Sequence, residues 1–178
     1  DYVDGQAEAA LRTILAFGPK VLGDPADYDA WCQIGLAGTF AHNGYFGLGR
    51  EEDWACHAIE HELSGWNEDI THACGLAAVT PSWMRFVAQR APARFVAFAV
   101  NVMGVTPAGS DAETIRLGRE KFVEWLRTMG MPVTLEALGA AECPIDALAR
   151  HCCCKGPVGR LAALGEADVK TILEGAMR

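Results

Sequence analysis

The chain has 178 residues, of which 51% are hydrophobic, 8% aromatic and 21% charged, and it is long enough to bury a core of its own. Its 15 Lys and Arg against 23 Asp and Glu give a formal net charge of −8, and without a basic patch such a surface repels nucleic acid. No apolar run reaches the roughly 20 residues that span a bilayer, and residues 1–5 do not resemble a targeting segment, so we expect neither a nucleic-acid partner nor a membrane partner.

Apolar residues recur at helical spacing along almost the whole chain, with no alternating strand of four or more residues and no internal repeat. A first helix is predicted over residues 6–22 and is closed by Gly23, Asp24 and Pro25. A second is predicted over residues 26–42 and ends at Asn43-Gly44, because both residues tolerate left-handed backbone angles.

The middle of the chain predicts three more helices. The third covers residues 54–65 with Asp53 as its N-cap. The fourth begins near Thr71 and contains Pro81, which can kink it. The fifth covers residues 92–103.

The sixth helix opens with Ser110 and Glu113 in capping-box spacing and ends at Gly130, and short helices follow over residues 145–153 and 166–177. Short loops favour antiparallel neighbours, so the predicted fold is all-α: one domain over residues 1–178, a compact bundle of about seven to eight helices. No glycine-rich turn joins a strand to a helix, so this chain should not bind a dinucleotide through a βαβ unit.

The seven cysteines are an odd number and lack the even spacing of a secreted disulfide scaffold, which predicts a reduced, cytoplasmic protein. The run Cys152, Cys153, Cys154 beside His151 lacks the CxxC spacing that lets two sulfurs converge on one ion, and we interpret it as structurally incidental.

Three of the five histidines fall within sixteen residues. His57 and His61 are four residues apart on one helix and therefore share a face, while His72 follows a break in the helix and can approach from a facing helix. A zinc peptidase is disfavoured, because Ala58 stands where its motif has a glutamate. A single histidine on an apolar helix is more often a hydrogen-bonded core residue, but three together favour a metal or proton-transfer site.

Residues 53–84 contain the segments DWACHAIEHELS, DITHACGLA and PSWM. These segments closely resemble the C-terminal domain of iron-dependent alcohol dehydrogenases, in particular the butanol dehydrogenase-like branch. The flanking segments FGPKVL, DYD, AHNG and the tail over residues 164–176 agree, so the resemblance covers nearly the whole chain. It implies the dehydroquinate synthase-like, all-helical fold of that domain.

The resemblance also implies roles for the histidines. The family binds a divalent metal, iron or zinc, through one aspartate and three histidines, and His57 and His72 match the last two histidine ligands. His61 matches a histidine near the nicotinamide and the substrate, which makes it the candidate catalytic and cofactor-binding residue. The first two ligands would come from a helix that precedes Asp1. Asp53 matches the family's Asp-Trp pair and is better explained as a helix cap than as a ligand.

The implied enzyme is an alcohol dehydrogenase or aldehyde reductase for a small alcohol or aldehyde. An N-terminal domain absent from this chain would bind NAD or NADP, so we predict that the chain alone is inactive. Two alternatives remain. One is a helical interaction module, with a homodimer as one form, that exposes an apolar patch above a few hundred Å². The other is a hydrolase with His57, His61 and His72 on one ion.

Overall fold

The computed structural model describes all of residues 1–178 and contains eight α-helices and no sheet. The helices are α1 (Tyr2–Gly23), α2 (Tyr28–His42), α3 (Ala55–Trp66), α4 (His72–Val87), α5 (Pro92–Ala97), α6 (Asp111–Thr128), α7 (Ile145–Cys152) and α8 (Glu166–Gly175). The prediction of an all-α fold with seven to eight helices is confirmed. None of these helices is both long and apolar enough to cross a membrane.

Local capping explains where the first helices differ from the prediction. Helix α1 begins four residues before the predicted start because the Asp1 carboxylate accepts a hydrogen bond from the Asp4 backbone N–H at 2.9 Å. Helix α2 begins two residues later than predicted because Asp27 is its N-cap. It ends at the predicted Asn43-Gly44 pair, where Gly44 has a φ of +79°.

The predicted fifth helix ends early and continues as a π-helical turn over Phe98–Val102. Helix α6 approaches this turn closely at Gly118, where an added Cβ would lie 2.7 Å from the Cα of Ala99. Only a glycine fits at such a distance. The apolar pattern of the sequence does not distinguish a π turn from an α-helix, because both keep apolar residues on one face.

The chain divides into two units. The first consists of residues 1–51 and 96–129, and the second of residues 52–95 and 130–178. In the first unit α1 packs along α2, and the indole N–H of Trp125 on α6 donates to the backbone oxygen of Leu15 at 3.1 Å. The single-domain prediction stays a prediction.

The second unit holds the histidines and has a tightly packed core. Helix α3 packs against α4 and α7, and α8 packs against α4 and α7. Ser82 on α4 donates to the backbone oxygen of Ile172 on α8 at 2.8 Å, and Leu135 N–H donates to the oxygen of Ala176 at 2.7 Å. Its fully buried aliphatic side chains include Ile59, Leu63, Leu135, Leu164, Ile172 and Leu173. Burial of each such side chain contributes about 1.5–3 kcal/mol, so α3 and α4 pack against a stable core.

Candidate metal centre

Three imidazole rings meet where α3 faces the start of α4. His57 and His61 lie one turn apart on α3, with ring centroids 6.4 Å apart. His72 is the first residue of α4, and its ring centroid lies 5.3 Å from that of His57 and 5.2 Å from that of His61. We call these three residues the histidine cluster. The predicted shared face of α3 and the approach of His72 from the next helix are both present.

The spacing of the rings fits a metal ion. Two imidazoles that share a tetrahedral ion through metal–nitrogen bonds of about 2.1 Å have ring centroids roughly 5 Å apart. The His57–His72 and His61–His72 pairs have this separation. The His57–His61 pair, at 6.4 Å, is too wide for two neighbouring ligands of one tetrahedral ion. The two closer pairs therefore fit an ion held by His72 and one histidine of α3 better than an ion held by all three histidines.

A buried carboxylate lies beneath the cluster. Glu60 is 0% exposed, whereas the side chain of His72 is 48% exposed. His72 Nδ1–H donates to one oxygen of Glu60, and the hydroxyl of Ser64 donates to the other. A buried charge is costly unless hydrogen-bonded, and here each oxygen has a donor. The sequence does not predict that Glu60 is buried, and it gives no sign of Ser64.

Glu60 also belongs to an alternative set of ligands. One ligand atom each from Glu60, His61 and His72 can lie within 4.8 Å of the other two. Both oxygens of Glu60, however, already accept hydrogen bonds from Ser64 and His72. An ion bound by this trio would share the carboxylate with those donors, whereas an ion bound by His57 and His72 would leave the carboxylate to its donors alone.

Gly75 makes room for the carboxylate. It lies on α4 three residues after His72 and is buried. An added Cβ would lie 2.6 Å from the Oε1 of Glu60 and 2.7 Å from its Cγ. Such distances are far below ordinary contact, so a side chain at this position would displace Glu60. A glycine inside a helix usually has a packing reason, and that was the one sequence signal available for this position.

Asp53 lies one residue before the N-cap of α3, and both of its carboxylate oxygens accept hydrogen bonds. Trp54 occupies the N-cap position of α3, so the predicted position of the cap is wrong by one residue. Asp53 still accepts from Ala55, the first helical N–H, at 2.9 Å. Its other oxygen accepts from the N–H groups of Arg160 and Leu161, both at 2.7 Å. Asp53 thus joins the start of α3 to the loop before α8, a long-range contact that the sequence does not reveal.

Trp54 packs against the histidine cluster. The Trp54 ring meets the ring of His57 edge to face, with centroids 4.7 Å apart. Trp54 itself is 53% exposed. His61 and His72 are exposed as well, so the cluster opens to solvent on this face of the second unit.

All seven cysteines are free thiols. Burial raises the pKa of the Cys56 thiol, and likewise that of Cys152, to about 12, so both are poor nucleophiles at neutral pH. His151 Nδ1–H donates to Glu62 at 2.7 Å rather than joining the adjacent cysteines at a metal site. The arrangement agrees with the interpretation of the cysteine run as structurally incidental.

Comparison with known proteins identifies relatives of the whole chain. The family model described as the Fe-containing alcohol dehydrogenase family, C-terminal, matches residues 1–177. The NADH-dependent butanol dehydrogenase A of Clostridium acetobutylicum is 32% identical over 174 residues, covering 96% of this chain and 44% of that protein. A probable NADH-dependent butanol dehydrogenase of Bacillus subtilis is 35% identical over 177 residues, covering 99% of this chain and 46% of that protein. The chain thus spans less than half the length of these relatives.

Solved structures agree with this result. The crystal structure of an NADH-dependent butanol dehydrogenase A from Thermotoga maritima matches with a TM-score of 0.93 and 34% identity, over 100% of this chain and 46% of that one. An aldehyde reductase from Escherichia coli matches with a TM-score of 0.91 and 29% identity, over 98% of this chain and 46% of that one. The chain belongs to the iron-containing alcohol dehydrogenase family, as a representative of its C-terminal domain.

Proposed function

We propose that this chain supplies the metal-binding wall of an NAD(P)-dependent alcohol dehydrogenase or aldehyde reductase. The observation that carries the proposal is the 5.3 Å separation of the His57 and His72 rings, which fits two ligands of one ion. His57 and His72 would hold a divalent metal, iron or zinc, since imidazole suits both. The remaining ligands would come from a part of the enzyme outside these residues.

Each group has a distinct part in the proposed reaction. When bound, the metal supplies Lewis acidity toward the oxygen of an alcohol or aldehyde, and the nicotinamide gives or takes up the hydride. His61 lies one turn from His57 and is exposed, so it can contact the nicotinamide or move a proton to or from the substrate oxygen. Trp54, in edge-to-face contact with His57, would offer an apolar surface beside the metal.

The cofactor would bind elsewhere in the enzyme. The chain has no sheet, and it spans less than half of its relatives, so a separate N-terminal domain is the proposed nicotinamide site. The butanol dehydrogenases named above are described as NADH-dependent, the Bacillus subtilis one as probably so, while an aldehyde reductase of Escherichia coli, 33% identical, is described as NADPH-dependent. Both nicotinamides therefore stay within the proposal, as do small primary alcohols and their aldehydes.

A fusion protein tests the proposal. This chain alone should show no NADH- or NADPH-dependent reduction of butyraldehyde. Fused to the N-terminal half of the Bacillus subtilis relative and loaded with Fe²⁺ or Zn²⁺, it should become active. His57→Ala and His72→Ala should lose both metal and activity, because each removes a ligand. His61→Ala should keep the metal but lose about 10²-fold or more in kcat, the usual contribution of a general acid or base.

The matched control is His42→Ala, which removes an exposed histidine at the end of α2 in the first unit. It should retain both metal and rate. A fusion that keeps its metal and its rate after both His57→Ala and His72→Ala would contradict the proposal. An unchanged kcat in His61→Ala would contradict the proposed role of His61.

A second candidate function rests on exposed apolar side chains in the first unit. Eight of the ten large hydrophobic residues that are exposed lie within residues 1–51. A groove of about 440 Å³ runs between α1 and α2, with Leu36 and Phe40 on one side and Ala9 and Ala10 on the other. The groove and the exposed side chains around it form an apolar face, so a homodimer through this face is the alternative role.

Light scattering after size-exclusion chromatography distinguishes this alternative. A dimer that becomes a monomer on Leu36→Glu, and that binds no Zn²⁺, would favour the interaction module. Glu68→Gln on the second unit serves as the surface control.

A further inference from the structure

We propose that Glu60 is a positioning residue for His72. It binds Nδ1 of the ring and so directs Nε2 toward the other two histidines of the cluster. The inference deepens the proposed function and rests on it in so far as His72 is a metal ligand. The orientation of the ring, however, is a property of the metal-free chain and can be measured by itself.

The first step of the argument concerns the proton on His72. Glu60 is an acceptor when ionised, so the hydrogen bond between its carboxylate and Nδ1 places the ring proton on Nδ1. A neutral imidazole has only one N–H, and Nε2 therefore keeps its lone pair. A ring nitrogen with a free lone pair is the form that binds a metal ion, and a hydrogen bond from the other nitrogen raises its basicity.

The second step concerns the carboxylate, which can orient a ring only if it is itself held in place. Glu60 is 0% exposed, and the Ser64 hydroxyl one turn later on α3 donates to its second oxygen. Gly75 on α4 leaves the space that its Oε1 and Cγ occupy. Contacts from α3 and α4 thus define one position for this carboxylate.

A second histidine–glutamate pair in the same unit provides a contrast. His151 donates to Glu62 at 2.7 Å, but His151 is 76% exposed and Glu62 is 19% exposed. A pair whose histidine is mostly in solvent contributes little, because water competes for the hydrogen bond and the ring pays entropy to be held. The Glu60–His72 pair differs in having a fully buried carboxylate, which is why we assign it a positioning role and not the other.

The third step concerns what the ring would do without this partner. The His72 side chain is 48% exposed and lies at the first residue of α4, so about half of it faces solvent. Loss of the carboxylate would free the ring to rotate and to exchange its tautomers. The close approach of His72 to His57 and His61 thus depends on a residue that lies below the cluster.

Side-chain NMR on the ¹⁵N-labelled chain tests the inference without a metal. At about pH 8, where an ordinary histidine is neutral, the wild-type ring of His72 should carry its proton on Nδ1. Glu60→Ala should abolish this preference. Glu60→Gln should retain it, because the amide oxygen can still accept from Nδ1, and Ser64→Ala should weaken it. Glu62→Ala, on the same helix, is the matched control and should leave His72 unchanged.

Zn²⁺ titration of the same proteins gives the second readout. Loss of a carboxylate behind a ligating histidine typically costs about 10- to 100-fold in metal affinity, so we expect that loss in Glu60→Ala, a smaller one in Glu60→Gln and none in Glu62→Ala. Circular dichroism checks that each variant folds. If Glu60→Ala does not fold, Glu60→Gln and Ser64→Ala still provide the test.

The outcomes separate this inference from the proposed function. An Nε2–H tautomer of His72 in the wild-type chain, or an unchanged Nδ1–H tautomer in folded Glu60→Ala, overturns the positioning role whatever the metal does. An Nδ1–H tautomer that depends on Glu60, in a chain to which Zn²⁺ does not bind at the cluster, supports the positioning role and contradicts the metal-binding role.

Discussion

Replacement of Gly75 by alanine is the change that most directly probes the packing beneath the histidine cluster. The new Cβ would lie 2.6 Å from Oε1, 2.7 Å from Cγ and 3.1 Å from Cδ of Glu60. Glu60 cannot easily move away from the new Cβ, because its oxygens are hydrogen-bonded to Ser64 and His72 and its side chain is fully buried. Overpacking of this kind costs typically about 1–3 kcal/mol.

The intrinsic preference of alanine for a helix opposes this cost. Alanine is favoured over glycine inside a helix by up to about 1 kcal/mol. Gly65 on α3 separates the two effects, because no atom lies within 4 Å of a Cβ built there. We therefore expect Gly65→Ala to be as stable as the wild type or up to about 1 kcal/mol more stable, and Gly75→Ala to lie about 1–3 kcal/mol below Gly65→Ala.

Thermal and urea unfolding, followed by circular dichroism, measure the difference. For a chain of this size 1 kcal/mol corresponds to about 2–4 °C in Tm, so the two alanine variants should differ by roughly 2–12 °C. Gly75→Ala should also disturb the Nδ1–H tautomer of His72. Equal stability of the two variants would refute the close packing of Gly75 on Glu60.

Three further predictions concern other contacts of the second unit. Asp53→Ala removes the acceptor for Ala55 and for the loop at residues 160–161, and should lower the free energy of unfolding by about 2–3 kcal/mol in urea titration, since charged hydrogen bonds contribute about 1.5–3 kcal/mol each and some are replaced by water. Arg90 holds the pKa of Asp168 below its ordinary value by hydrogen bonding, so this pair stabilises the fold above the unfolded pKa of about 3.9 and loses that effect as the pH falls through the lower folded value. The difference in unfolding free energy between the wild type and Asp168→Asn should therefore shrink below about pH 4, and a constant difference would contradict this. Brief alkylation followed by mass spectrometry should label the exposed Cys154 well before the half-buried Cys56, whose thiol pKa is raised to about 12, and the reverse order would contradict this expectation.

The sequence predicts the helices well because their signals are local. Apolar spacing, the Asn43-Gly44 stop and the Ser110 cap act within one or two turns, and Ser110 does accept from the Glu113 N–H at 3.2 Å. The early start of α1 was missed because Asp1 and Asp4 cap it without an apolar pattern. The π turn was missed because apolar spacing does not distinguish it from an α-helix, and its close approach to Gly118 joins residues that are remote in sequence.

The histidine cluster could be predicted in part for the same reason. Spacing of four on one helix fixes the common face of His57 and His61, and the break after Gly65 lets His72 approach. The role of Glu60 could not be predicted, since its burial depends on how α4 packs on α3 and on the missing side chain of Gly75. Asp53 illustrates the same limit, because its partners at residues 160–161 are more than a hundred positions away.

Zn²⁺ titration of the unmodified chain, followed through the imidazole resonances of its five histidines, tests the central claim most directly. We predict saturable binding of one ion that shifts His57 and His72 together, and a loss of affinity of about tenfold or more in His57→Ala and in His72→Ala but not in His42→Ala. Binding that survives both substitutions, or millimolar Zn²⁺ that leaves His57 and His72 unshifted, would contradict the assignment of these two residues as metal ligands.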